Sequence, residues 1–155
     1  MTDYQPEGSE PPTRGDSAEG IEAGDAPRTD PKATYTVVGA AEALTAGQAL
    51  GADVLIVDPP RKGLEGRVLE ELGKPLDPTQ PRVEEAADLL TIPDEAVRWT
   101  NDVRTLIYVS CGFAALARDC ERLLTSDGGW TLESATGYLL FPGSNHVETL
   151  CVFRR

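Results

Sequence analysis

Two apolar runs constrain the fold most strongly, because each of them ends at residues that can carry chemistry. The run at 54–57 is followed by Asp-Pro-Pro-Arg at 58–61, and the run at 105–109 is followed by Ser110 and Cys111. Short apolar runs bounded by turn residues predict buried strands, and the continuous apolarity of the first predicts cover on both of its faces. Open α/β sheets place ligands at the carboxyl ends of their strands. The sequence therefore predicts an α/β protein with a site at one sheet edge.

The rest of the chain completes a strand–helix–strand–helix order. We predict a short strand at 35–38, a helix at 40–50 and a helical turn at 68–72, with further helices at 83–90 and 94–99. A helix after the second strand buries the apolar residues Phe113, Leu116, Ala117, Cys120, Leu123 and Leu124. Its opposite, polar face carries Arg118, Asp119, Glu121 and Arg122.

Extended segments at 130–134 and 137–141 and a final strand at 147–153 predict an antiparallel strand pair at the end of the chain. The fold class is therefore α/β, with a mostly parallel, partial Rossmann-like sheet that closes on this C-terminal antiparallel pair. We predict a disordered acidic tail at 1–34, because it has almost no large apolar side chains, and one domain at 35–155.

Composition excludes several function classes. With 26 acidic and 14 basic residues the formal charge is -12, which is unfavourable for nonspecific nucleic-acid binding. Three cysteines without a C-x-x-C pair and a single histidine predict no metal site. The odd cysteine count predicts free thiols in a reducing compartment, so we expect an intracellular, cytoplasmic protein, with organelle and nucleus left open. The chain lacks an apolar run of the roughly 20 residues that span a bilayer.

Asp58 places a carboxylate at the end of the first strand. The prolines that follow fix φ and remove two backbone donors, so the loop is rigid and its carbonyls are free to accept hydrogen bonds. This favours a polar ligand site over a plain proline-rich turn. Cys111 allows two interpretations: a small buried hydrophobe, or a thiolate stabilised by the amino end of the following helix. The position alone leaves both open, whereas Cys120 and Cys151 lie in apolar patterns and are predicted to be core residues.

His146 and Glu148 occupy the same face of the final strand, because side chains alternate along a strand. Leu150 and Val152 continue that face, so the Glu148 carboxylate is in line with apolar neighbours. Such an acid could act as a general base. A strand end that is exposed to solvent would show the same pattern. Glu148 as a general base and Glu148 as a solvated strand-end residue both stay open at this point.

Three segments together resemble the catalytic domain of the S-adenosylmethionine (SAM)-dependent RNA uracil-5-methyltransferases. They are residues 53–64 (DVLIVDPPRKGL), 107–124 (IYVSCGFAALARDCERLL) and 141–149 (FPGSNHVET). The resemblance covers about 35–155, the C-terminal half of that catalytic domain. It implies a SAM-methyltransferase sheet that lacks its first strands and the glycine-rich turn for SAM. We therefore expect a chain that needs an N-terminal half or a partner chain.

The resemblance also implies roles for individual residues. Cys111 is the nucleophile that adds to uracil C6, and Glu148 is the base that removes the C5 proton. Asp58, Pro59 and Arg61 bind the substrate or the cofactor: Asp58 lines the pocket where the flipped uracil meets the methyl donor, and Arg61 positions the base or a phosphate. The cofactor is SAM, the partner is a tRNA or ribosomal RNA, and no membrane is involved. Gly112 and Phe113 depart from the family, where Asn-Pro is more usual.

Two other functions compete with this interpretation. The first is an amino-group methyltransferase acting on adenine or guanine, since those enzymes also use an Asp-Pro-Pro segment. Arg61 stands where they usually have an aromatic residue, and a cysteine nucleophile would have no task there. The second is a non-catalytic half-domain that binds a partner through an exposed sheet edge.

Overall fold

The computed structural model describes residues 35–80, 97–144 and 146–155. The predicted tail at 1–34, the predicted helix at 83–90 and the start of the predicted helix at 94–99 lie outside these ranges. Three helices and four strands follow one another in the described parts of the chain. In order they are α1 (Ala40–Thr45), β1 (Val54–Val57), α2 (Gly66–Leu72), β2 (Thr105–Ser110), α3 (Phe113–Thr125), β3 (Thr131–Tyr138) and β4 (Glu148–Arg154).

The four strands form one mixed sheet in the order β1-β2-β4-β3. Strand β1 runs parallel to β2, and α2 lies in the connection between them, as expected of a crossover between parallel strands. Strand β4 is antiparallel to both β2 and β3. The predicted α/β sheet with a C-terminal antiparallel pair is therefore confirmed, with one parallel and two antiparallel pairings among the described strands.

The hydrophobic core lies on one face of this sheet. On that face Leu106 and Tyr108 of β2 stand opposite Phe153 and Cys151 of β4, and all four side chains are buried. The three helices add apolar side chains to the same cluster. These are Leu44 from α1, Val68, Leu69 and Leu72 from α2, and Leu116 and Leu123 from α3. The described helices therefore cover the same face of the sheet.

The other face of the sheet is open to solvent. Val54 is 48% exposed and Ile56 is 66% exposed, and Ile107 of β2, which stands opposite Ile56, is only half-buried. The prediction that both faces of β1 are covered is wrong. Its sequence is apolar throughout, but in the part of the chain that the structure describes the helices pack on one side only, and β1 is an edge strand.

Three local predictions also need correction. Residues 35–38 form no strand, and Val37 is fully exposed. The predicted segments at 130–134 and 137–141 are replaced by one strand, β3, which ends at Tyr138, before the last three predicted residues, and shifts register between Leu132 and Ser134. Helix α3 is rotated relative to the predicted stripe: Phe113 is 70% exposed, whereas Asp119, predicted on the polar face, is fully buried. None of the described helices is long and apolar enough to cross a membrane.

Candidate active site

Three chain segments that carry candidate residues end at the same edge of the sheet. Val57 pairs with Tyr108, so Asp58 leaves β1 beside the last residues of β2. Ser110 pairs with Thr149 at the end of the β2–β4 ladder. Cys111 follows the first member of this pair and Glu148 precedes the second. The sheet register therefore brings the thiol, the proposed base and the Asp58 carboxylate to one edge.

The segment after β1 is an ordered turn. The Gly63 N–H donates to the Pro60 carbonyl oxygen at 2.8 Å, and Gly63 has a φ of +88°, a conformation that favours glycine. Asp58, Pro59 and Pro60 line a cavity of about 530 Å³ whose other walls come mainly from apolar residues of α1, β1 and α2. A carboxylate at the rim of an apolar cavity can bind a cationic or hydrogen-bonding group.

Cys111 lies at the junction of β2 and α3. The Gly112 N–H donates to the Ser110 hydroxyl at 3.1 Å, which fixes the turn immediately around the half-buried thiol. Cys111 lines a second cavity, of about 430 Å³, together with Phe113, Ala135, Gly137, Val147 and Thr149. This cavity is distinct from the one that Asp58 lines, so the two residues share a sheet edge but not a cavity.

Gly112 brings the turn after β2 against the loop after β1. A Cβ at position 112 would lie 2.5 Å from the Arg61 carbonyl oxygen, a backbone atom that cannot swing away. The absence of a side chain at this residue therefore permits direct packing between the segment that carries Cys111 and the segment that carries Arg61.

Glu148 begins β4, is half-buried and stands opposite Tyr138 of β3. It lines neither of the two cavities described above. His146 is exposed, and its Nδ1 accepts a hydrogen bond of 3.2 Å from the Arg61 guanidinium, which can only donate. This contact joins the loop after β1 to the segment that leads into β4.

The other two cysteines differ from Cys111. Burial and the contact with the Cys151 thiol raise the pKa of Cys120 to about 12. Burial also raises the pKa of Cys151, whose residue is 2% exposed and belongs to the core. Both residues are core residues, as predicted from the sequence, and at neutral pH their thiols stay protonated. Thiolate is the nucleophilic form of cysteine, so neither is suited to nucleophilic catalysis.

Sequence reasoning missed two features of this edge. The first is Asp119, which was placed on a solvent-facing stripe and instead lies buried beneath the loop after β1. The second is the cavity wall that Phe113 and Thr149 form around Cys111. The sequence contains a signal for the first feature. Gly63 is a turn glycine, and Arg118 and Asp119 are neighbouring opposite charges on the predicted helix, but the glycine and this pair are more than fifty residues apart in the sequence.

No protein-family model matches the chain. Among curated proteins, an RNA methyltransferase of Protochlamydia amoebophila is 39% identical over 105 residues, which is 68% of this chain and 20% of that protein. A 23S rRNA (uracil(1939)-C(5))-methyltransferase of Paracidovorax citrulli is 40% identical over 105 residues, 67% of this chain and 20% of its own length. The corresponding enzyme of Verminephrobacter eiseniae is 36% identical over 116 residues, 73% of this chain and 22% of that enzyme.

A solved structure is also similar: the Pyrococcus abyssi tRNA (uracil-54, C5)-methyltransferase in complex with S-adenosyl-L-homocysteine. It is 25% identical with a TM-score of 0.39, and the match covers 65% of this chain and 18% of that one.

The sequence similarity identifies one class of protein, the RNA methyltransferases. Within that class, the chain belongs to the family of SAM-dependent RNA uracil-C5 methyltransferases. It spans about a fifth of the length of the curated relatives that it matches.

Proposed function

We propose that this chain supplies the catalytic thiol and the catalytic base for methylation of uracil C5 in RNA, with SAM as the methyl donor. The observation that carries the proposal is the placement of Cys111 and Glu148, each one residue beyond the pair Ser110–Thr149 at the same end of the antiparallel ladder, where Asp58 also leaves β1. The named relatives from Paracidovorax and Verminephrobacter act on 23S rRNA. By homology, the substrate class of this chain is a structured tRNA or ribosomal RNA.

Each proposed step uses a group at this edge. The 13-residue helix α3 begins two residues after Cys111, with Gly112 at its N-cap, and the first step needs the Cys111 thiol in its thiolate form. The thiolate adds to uracil C6, and the electron pair of the C5–C6 double bond moves onto the ring, so that C5 becomes nucleophilic. After C5 has gained a methyl group, Glu148 takes its proton. The electrons of the C–H bond then restore the double bond and expel the Cys111 sulfur.

The residues at the end of β1 fit a cationic cofactor. The cavity of about 530 Å³ has mostly apolar walls, and two carboxylates, of Asp58 and Glu65, line it together with one cation, Lys62. Asp58 and the carbonyls of Pro59 and Pro60 would hold the polar and charged parts of SAM. When bound, SAM supplies an electrophilic methyl group. Arg61, exposed and hydrogen-bonded to His146, would orient an RNA phosphate or the target base.

The test is covalent capture of RNA that contains 5-fluorouracil. Fluorine at C5 cannot be removed as a proton, so the adduct between Cys111 and the base should persist in the presence of SAM. We expect a stoichiometric protein–RNA adduct that mass spectrometry maps to Cys111. Cys111→Ala should abolish the adduct and Cys120→Ala, at a core thiol, should retain it. An adduct that survives Cys111→Ala would show that another residue is the nucleophile.

A substitution of the proposed general base, Glu148, separates addition of the thiol from removal of the C5 proton. Glu148→Gln keeps the size of the side chain but cannot accept the C5 proton. With ordinary uracil RNA and SAM, this variant should accumulate the covalent intermediate that the unaltered chain resolves. If Glu148→Gln turns over normally, Glu148 is not the base.

A second candidate function is a half-domain that binds another polypeptide. The open sheet face around Val54 and Ile56 favours it, because exposed apolar surface beside an edge strand is typical of an interaction site. On this hypothesis the purified chain shows no heat of SAM binding by calorimetry and requires the missing parts of its relatives, added as a separate chain, for any RNA adduct. Tight SAM binding by the chain alone would count against it.

A further inference from the structure

We propose that Arg118 and Asp119 of α3 form a clamp that holds the loop at 58–64 in register with Cys111, and that they thereby act as positioning residues for the site. The identity of the positioned site rests on the proposed function. The clamp itself is defined by the contacts between the loop, β2 and α3, and these contacts can be measured whether or not the chain proves catalytic.

The Asp119 carboxylate is the centre of the clamp. Its side chain is fully buried, and its Oδ2 accepts hydrogen bonds of 2.8 Å from the Leu64 N–H and of 2.8 Å from the Tyr108 hydroxyl. Its Oδ1 accepts from the Arg118 guanidinium at 2.8 and 3.1 Å. A buried carboxylate is tolerated only where such donors replace water. One carboxylate therefore joins the loop, β2 and α3.

Arg118 adds a second contact to the same loop. One of its terminal nitrogens donates to the Lys62 carbonyl oxygen at 2.7 Å as well as to Asp119. The guanidinium therefore bridges the loop backbone to the buried acid, while the Arg118 side chain remains 54% exposed. Because it is half in solvent, Arg118 can be substituted without opening a cavity in the core.

Gly63 shows how closely the loop is seated on the clamp. A Cβ at this residue would lie 2.4 Å from the Asp119 Oδ2 atom and 2.6 Å from an Arg118 nitrogen. Its φ of +88° also favours glycine. The loop is therefore held at two places. Gly63 packs against Arg118 and Asp119 of α3, and the Arg61 carbonyl packs against Gly112 in the β2–α3 junction. Asp58 and Arg61 lie in that loop, and Cys111 lies in that junction.

The expected consequence is a fixed distance between the two halves of the site. Displacement of a reacting group by about 1 Å can reduce rates by two orders of magnitude. The clamp uses charge-assisted hydrogen bonds, which are shorter and stronger than neutral ones. The loop contains two prolines but begins at an edge strand, so without the clamp it would be held only by its local turn, the contact at Gly112 and the hydrogen bond between Arg61 and His146.

Arg118→Met is the decisive variant, and Arg122→Met is its matched control. Both replace an exposed arginine of the same helix with a side chain of similar length. We expect Arg118→Met to speed hydrogen exchange at the Leu64 amide and trypsin cleavage after Lys62 by about fivefold or more, the factor expected for loss of a hydrogen bond to a charged group. Arg122→Met should leave both rates unchanged. Equal rates in the two variants would overturn the clamp.

A second measurement separates positioning from structure. The rate of adduct formation with 5-fluorouracil RNA should fall about tenfold or more in Arg118→Met, measured well below the melting temperature of that variant, and Arg118→Lys, which can still donate to the Lys62 carbonyl, should recover part of it. If loop exchange accelerates but the adduct rate does not change, the clamp does not position the site. If no variant forms the adduct, the proposed function fails, and the exchange data alone decide whether the clamp exists.

Discussion

The two faces of the sheet are both apolar, yet only one of them is covered. On the covered face Leu106 and Phe153 are fully buried, and three helices pack against them. On the open face Ile56 is two-thirds exposed. The same strands therefore contribute a rigid core on one side and an apolar surface on the other. The comparison teaches that the hydrophobicity of a strand shows that it can be buried, whereas the elements packed around the strand decide what fraction of its surface is buried.

The two faces should differ most in how far truncation of an aliphatic side chain lowers the free energy of unfolding. Leu106→Ala removes a fully buried side chain and should lower the free energy of unfolding by about 2–5 kcal/mol. Ile56→Ala removes one that is 66% exposed and should change it by less than about 1 kcal/mol. Urea denaturation followed by circular dichroism measures both. Similar losses would mean that the open face is covered in solution.

Removal of a single tyrosine hydroxyl from each face should have a smaller effect on the free energy of unfolding. Tyr108→Phe removes the donor to the buried Asp119 carboxylate and should cost about 1–3 kcal/mol. Tyr138, on β3, is 46% exposed, and Tyr138→Phe should change stability by no more than about 0.5 kcal/mol. The same denaturation experiment applies. If Tyr108→Phe is neutral, the hydroxyl contributes no net free energy to the clamp.

The smallest expected effect is a pH dependence that comes from the covered face. Burial raises the pKa values of Cys120 and Cys151 above the ordinary value of a thiol, so the folded chain retains protons that the unfolded chain loses. Stability is therefore complete below about pH 9 and falls above it, by about 1 kcal/mol near pH 10 after allowance for solvent screening.

Denaturation at a series of pH values measures this slope. Cys120→Ala should flatten the slope, whatever its effect on the stability at pH 7. Arg155 acts in the opposite direction, because burial lowers its pKa to about 10, so the window between about pH 8 and 10 is the informative one. A slope that the Cys120→Ala substitution leaves unchanged would show that these thiols are not its source.

Much of the fold could be predicted from local pattern. The two apolar runs are strands β1 and β2, and the helix after Cys111 is present as α3. The strand ends that carry Asp58, Cys111 and Glu148 meet at one sheet edge, because parallel neighbours and a closing antiparallel strand leave few other arrangements. The roles of these residues, together with Pro59 and Arg61, stay predictions.

The errors arose where distant contacts override local pattern. Asp119 was placed on a solvated face because it is charged, but it accepts hydrogen bonds from Leu64 and Tyr108, and the Leu64 amide is more than fifty residues away. The exposed state of Phe113 follows from the same rotation of α3. No periodicity in the helix reveals a partner that another element supplies.

The sequence by itself determined the positions of β1, β2 and α3 and which chemical groups stand at their ends, because turn residues, hydropathy and family motifs are local properties. Only the tertiary structure decided which side of each element is buried and how the loop at 58–64 is fixed beside Cys111. The physical reason is that burial and buried hydrogen bonds depend on atoms that approach from remote parts of the chain, and a one-dimensional pattern does not contain those distances.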